Sequence, residues 1–128
     1  MEMTLKTVLA ATPETIYNTW LSSEGHSAMT GSDAEISNEV DTPFTAWDGY
    51  ISGTNILLEP YWHMLQSWRT TDFSDEEPDS RLEILLQETE GGTELTLIHT
   101  LLPENGEQYR QGWIDYYFEP MELYFSSL

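Results

Sequence analysis

The chain has 128 residues, 23 acidic and only 4 basic, for a formal charge of −19. That length predicts one domain, residues 1–128, and the charge excludes nucleic acid, because phosphate binding needs clustered Lys and Arg, whereas Lys6, Arg69, Arg81 and Arg110 stand far apart. An anionic membrane is excluded on the same grounds, and a 39% hydrophobic, 12% aromatic composition excludes disorder.

There is no cysteine, so disulfides, thiolate catalysis and cysteine-ligated metals are ruled out. No basic-then-apolar leader pattern opens the chain and no apolar run reaches the length of a membrane span, so a cytoplasmic protein is expected. Residues 3–10 read as a strand. Thr12-Pro13-Glu14 then marks a helix start, with Thr12 as N-cap, Pro13 in the first turn and Glu14 at the positive end of the dipole. Ile16, Tyr17, Trp20 and Leu21 form its apolar stripe, and Gly25 ends the helix or begins a second short turn. A short strand is predicted over residues 33–40.

Hairpins follow. Asp48-Gly49 is a tight-turn dipeptide between strands at residues 44–47 and 50–58. In residues 62–69 alternation places Trp62, Met64, Gln66 and Trp68 on one face. Acid-rich residues 71–80 read as an exposed loop; Asp75, Glu77 and Asp79 imitate the start of a calcium loop, but Ser80 and Leu86 stand where its Gly and Glu belong. Leu82, Ile84 and Leu86 alternate along the next strand, Gly91-Gly92 turns the chain, and Leu95, Leu97 and His99 share a face after it.

The last segment is helical. Asn105 and Gln108 have capping-box spacing. On an ideal helix Tyr109, Trp113, Tyr116, Tyr117, Pro120, Tyr124 and Leu128 fall within a sector about 120° wide. Gly112 implies close packing against another backbone, and Pro120 implies a bend where the bond to the Tyr116 carbonyl is lost. The fold class is therefore α+β: a curved antiparallel sheet of six to seven strands wrapped around a long C-terminal helix, with short helices after the first strand. One helix cannot fill such a concave face, so an aromatic-lined cavity is expected.

Several motifs carry a family resemblance. They are Ala10-Ala11-Thr12-Pro13-Glu14-Thr15-Ile16-Tyr17, Met29-Thr30-Gly31, Trp47-Asp48-Gly49-Tyr50-Ile51-Ser52-Gly53, Gln66-Ser67-Trp68-Arg69, Gly92-Thr93-Glu94-Leu95 and Gln111-Gly112-Trp113-Ile114-Asp115-Tyr116-Tyr117-Phe118. In this order the chain resembles the activator of heat-shock protein 90 ATPase homologue family, within the START-like (SRPBCC) helix-grip superfamily. The resemblance implies a helix-grip fold; superfamily members include lipid carriers, hormone receptors, polyketide cyclases and co-chaperone domains. The glycine pair that family members usually carry before the Phe44 strand is replaced by Asp41-Thr42-Pro43, and their basic residues after the turn proline by Tyr61-Trp62-His63.

No His pair has metal-ligand spacing, and no GxSxG, P-loop or dinucleotide glycine pattern is present, so neither a cofactor nor a metal is expected. The leading expectation is a non-enzymatic binding domain holding a small apolar or aromatic ligand. Trp20, Met29, Trp47, Trp68, Trp113 and Tyr117 would line the cavity, with Arg69 or His99 orienting a polar group. The competing reading of His99 is a strand-end histidine satisfied locally, and that of Arg69 an ordinary carboxylate pair. The alternative functions are a protein-interaction module, related to co-chaperones and favouring a basic partner, and a cyclase-like or hydrolase-like enzyme with His99 as its base.

Overall fold

Thr12 accepts a hydrogen bond from the Thr15 backbone N–H at 3.1 Å and Pro13 needs no partner in the first turn, so the first helix begins where the sequence marks it. The computed structural model describes residues 1–128. The chain runs β1 (Met3–Leu9), α1 (Pro13–Trp20), α2 (Ser23–Thr30), β2 (Pro43–Ala46), β3 (Ile51–Glu59), β4 (His63–Thr70), β5 (Ser80–Thr89) and β6 (Gly92–Thr100). A C-terminal helix follows in three parts: α3 (Gln108–Trp113), a π-helical turn (Ile114–Phe118) and α4 (Glu119–Ser126). The six strands form one antiparallel sheet in the order β1-β6-β5-β4-β3-β2, so the first strand closes against the last. A bulge between Asn55 and Leu57 adds local twist to β3.

Period-two alternation sends Met64, Gln66 and Trp68, Leu82, Ile84 and Leu86, and Leu95, Leu97 and His99 to one buried face, under the C-terminal helix. Trp62 departs from the expected row: β4 begins only at His63, and Trp62 lies in the preceding turn, about half exposed. No helix is long and apolar enough to cross a membrane.

Residues 33–40 do not form a strand. Only Glu35 bridges to Thr45, because α2 offers serines that satisfy the neighbouring backbone instead. Ser27 Oγ accepts from the Ala34 N–H and Ser23 Oγ from the Ile36 N–H, both at 2.9 Å. Asn55, fully buried, then holds the stretch that follows by donating to the carbonyls of Ser37 and Glu39 at 2.8 and 3.1 Å.

The C-terminal helix differs from expectation in three ways. Asn105 and Gln108 form no capping box; the helix is entered through two consecutive turns, Gly106 N–H to Pro103 O and Tyr109 N–H to Gly106 O. Pro120 produces a π-turn, in which the Glu119 N–H reaches back to Ile114 O, so the helix continues past the proline with one extra residue in the turn. That residue also resets the buried face. Tyr109, Trp113, Tyr117, Met121 and Phe125 recur every fourth position and are all buried, whereas the predicted members Tyr116 and Leu128 are exposed. A straight α-helix would rotate such a series by about 160° over its length, and one inserted residue cuts this to about 60°. The third difference is Gly112, where an added Cβ would meet nothing within 4 Å, so no close backbone approach explains it.

Candidate ligand-binding cleft

Between the C-terminal helix and the β2–β3–β4 end of the sheet lies a cleft of about 410 Å³ bordered by nine residues, seven of them aromatic. Trp68 reaches it from the inward side of β4, and Tyr109, Trp113 and Tyr117 from successive turns of the helix. Trp47 comes from the β2–β3 turn, where it and Asp48 hold positive φ of 52° and 57°, uncommon for side chains with a Cβ. Such strain persists only where the surroundings over-determine it, and Trp47 packs edge-on against Tyr116 at 5.3 Å. Tyr50 and Ile51 complete the sheet side, and Gly112 leaves the helix wall open.

Four predicted lining residues, Trp47, Trp68, Trp113 and Tyr117, are thus brought together, and four are placed elsewhere. Trp20 is buried behind the cleft wall, tilted against Tyr117 at 5.2 Å, and Met29 is buried on α2. His99 has no exposed surface: its Nδ1 accepts the Trp113 indole N–H at 3.1 Å, so Nε2 carries the proton and donates to Ser80 Oγ at 2.8 Å. Ser80 in turn donates to the Trp68 carbonyl at 2.8 Å. Burial lowers the His99 pKa to about 3, so the ring is neutral and positions the two tryptophans from behind rather than meeting a ligand. Arg69 turns to the 71–80 loop: it pairs with Asp79 at 2.8 Å, donates to the carbonyls of Glu77 and Ser74, and lies 5.3 Å from the centroid of buried Phe73. Arg69 therefore serves the acidic loop rather than the cleft, and two further loop carboxylates, Asp72 and Glu77, accept hydrogen bonds from Tyr50 and from the Ser74 N–H.

Missed in the sequence were Tyr50, Ile51 and Gly112, while Tyr109 and Tyr116 were seen only as members of a helix face. The unexplained mid-helix glycine was the available signal. Three of the four cleft tyrosines have their hydroxyls engaged by residues that do not border it. Tyr117 donates to His26 Nε2 at 2.8 Å, whose Nδ1–H donates to the Trp20 carbonyl at 2.9 Å; burial lowers the His26 pKa to about 4, which the Trp20 hydrogen bond only partly offsets, and burial raises that of Tyr117. Tyr109 bonds Thr70 Oγ1 at 2.7 Å, and Tyr50 donates to Asp72 at 2.7 Å; burial first, then this bond, raises the Tyr50 pKa. The Trp47 indole N–H is buried with no hydrogen-bond partner.

The model of the activator of Hsp90 ATPase homolog 1-like family matches residues 10–126. The chain belongs to this family. It is 29% identical over 125 residues to the human activator of 90 kDa heat shock protein ATPase homolog 1, covering 97% of this chain but only 37% of the human protein. In three dimensions it resembles an HSP90 activator from Plasmodium falciparum, with a TM-score of 0.87 at 20% identity, covering 96% of this chain and 94% of that one. An Aha1 from Colwellia psychrerythraea, described as a dimer in solution, superposes with a TM-score of 0.80 at 13% identity, covering 98% of this chain and 96% of that one. CalU16 from Micromonospora echinospora does so at 0.79 and 19% identity, covering 98% and 76%. These likenesses carry the helix-grip fold.

Against that family pattern, the Tyr61-Trp62-His63 departure builds a second charged feature, on the outer face of the sheet. His63 Nδ1 meets Glu59 Oε1 and Nε2 meets Glu83 Oε2, each at 2.6 Å, and Trp62 stacks on the ring at 5.1 Å. Both nitrogens face carboxylates, so both donate and the ring is an imidazolium. Burial alone would lower its pKa, but the hydrogen bonds and charges of Glu59 and Glu83 outweigh it and the net shift is upward. A raised folded-state pKa contributes stability that is fully present below the unfolded value near 6.5 and lost as pH rises through the folded value. We expect wild type to exceed His63→Gln in urea stability near pH 6 and the gap to shrink towards pH 9. A gap independent of pH would contradict the imidazolium assignment. No group of three His, Asp or Glu side chains is arranged to hold a metal ion.

Proposed function

We propose that the protein is a non-enzymatic, cytoplasmic binding domain whose cleft between the C-terminal helix and the sheet takes a small apolar or aromatic ligand. The observation that carries this reading is the 410 Å³ opening bordered almost wholly by aromatic side chains, with Gly112 on the helix wall, where an added Cβ would meet nothing within 4 Å. Apolar surface of this kind is stabilised by an occupant that excludes water from it. Titration of a ligand panel followed by tryptophan fluorescence tests it, since Trp47, Trp68 and Trp113 all border the opening. A binder is expected to quench or shift that emission and to raise the melting temperature. Gly112→Leu, which projects into open space, is expected to abolish the response while leaving the fold intact. A panel without binders, or unchanged binding by Gly112→Leu, would sink the proposal.

The family match favours a second reading, an interaction module acting on a 90-kDa heat-shock chaperone. The chain spans 37% of the human relative, so that protein's activity as a whole is proposed here only for the matching part. The acidic surface suits a basic patch on the chaperone. The chaperone's ATPase rate with and without this chain decides it: stimulation or a salt-sensitive complex supports the reading, and neither at low salt removes it.

A further inference from the structure

We propose that the cleft ligand is a small organic cation, an ammonium group carried on an apolar or aromatic body and held against the aromatic rings. This rests on the cleft being a ligand site, as proposed above. The rings meet at steep and varied angles, 69° for Trp47–Tyr116, 85° for Trp68–Tyr109, 38° for Trp68–Trp113 and 50° for Trp113–Tyr117, so they build walls in several directions. A ring face carries partial negative charge, and indole attracts a cation most strongly among the aromatic side chains.

Charge selects against the opposite ligand. No basic residue borders the cleft. Lys6, Arg69 and Arg110 are paired with Glu94, Asp79 and Glu107, and Arg81 is exposed on β5. In a protein of net charge −19, an entering carboxylate would meet repulsion with no counter-ion. The hydroxyls agree with this. Those of Tyr50, Tyr109 and Tyr117 are engaged with Asp72, Thr70 and His26, so ring faces make up most of the wall, with the Trp47 indole N–H as an unpaired donor beside them. Donation from Tyr50 to a carboxylate also pushes electron density into its ring and deepens the negative face.

The test uses three benzyl probes: benzyltrimethylammonium, its neutral carbon isostere neopentylbenzene, and the smaller anion phenylacetate. Benzyltrimethylammonium is expected to bind about tenfold more tightly than the neutral isostere, and phenylacetate weakest. Raising the salt concentration is expected to weaken the ammonium and leave neopentylbenzene unaffected. Asp72→Asn, an exposed change that keeps an acceptor for Tyr50, is expected to weaken the ammonium severalfold without changing the neutral probe. Equal or tighter binding of neopentylbenzene or phenylacetate overturns the cation assignment and leaves the ligand site standing. Binding of a trimethyl-lysine peptide with no binding of the small ammonium overturns the small-molecule assignment. If no probe binds and Gly112→Leu changes nothing, the ligand site itself fails and this inference with it.

Discussion

Replacing Gly53 by alanine is expected to destabilise the protein by at least about 3 kcal/mol. A Cβ at this position would lie 1.9 Å from the Ser67 carbonyl oxygen, 2.7 Å from its carbon and 2.7 Å from Cε1 of Phe44. Two of the three are backbone atoms of the neighbouring strand, which cannot swing aside as a flexible side chain would. Relief requires β3 to move away from β4, breaking a ladder that continues on both sides, including the Thr54 N–H to Ser67 Oγ bond at 2.9 Å. The movement would also drag the β2–β3 turn that presents Trp47, so the cleft should suffer with the fold. Urea denaturation measures the loss, and a cost below about 1 kcal/mol would mean that the strands part there without penalty. Gly112→Ala is the internal contrast. Its Cβ enters open space, so it should stabilise by up to about 1 kcal/mol through helix propensity alone.

His99→Ala is expected to cost about 3–5 kcal/mol, by two routes. It empties a fully buried site, and it leaves the Trp113 indole N–H without the acceptor it meets at 3.1 Å. Trp68 and Trp113 both pack edge-on against this imidazole, at 4.5 and 5.7 Å, so both cleft walls should loosen. A pH signature separates this from a simple cavity. With a folded-state pKa lowered to about 3 from the ordinary 6.5, neutral His99 contributes stability that is complete above pH 6.5 and lost as pH falls towards 3. His26, lowered to about 4, acts in the same direction. Protonation of the carboxylates relieves the protein's self-repulsion over the same range and opposes the trend, so the readout is the difference between variant and wild type. That difference should be largest near neutrality and shrink in acid. A penalty independent of pH would contradict the neutral, buried assignment.

Much of the fold was legible because its signals are local. Thr12 and Pro13 cap a helix through atoms within one turn of each other, and the alternation of Leu82, Ile84 and Leu86 needs only the pleat of one strand. The errors lie where distant chain segments competed for the same groups. Residues 33–40 have strand-like composition, but Ser23 and Ser27 of α2 claim the N–H groups a partner strand would have used. The expected aromatic sector followed ideal helix geometry, and the π-turn beside Pro120 rotated it, exposing Tyr116 while burying Met121 and Phe125. Arg69 and His99 were grouped with the cavity by their neighbours in sequence. The loop carboxylate at Asp79 took the first, and the Trp113 and Ser80 side chains took the second.

Composition alone sets the expectation that this strongly acidic chain avoids phosphate backbones and anionic surfaces, since net charge acts at long range whatever the fold. Local pattern decided the meander and the C-terminal helix, because hydrophobic periodicity reports which face must leave water. An aromatic-lined cavity between helix and sheet is expected from the pattern, but its position and its full lining were decided only by tertiary structure. A cleft is the space left between a helix and a sheet that are distant in the chain, here residues 109–117 and 47–68, so no single segment encodes it. Gly112 shows the difference most plainly: as a letter it implied contact, and in the fold it marks the space that contact does not fill.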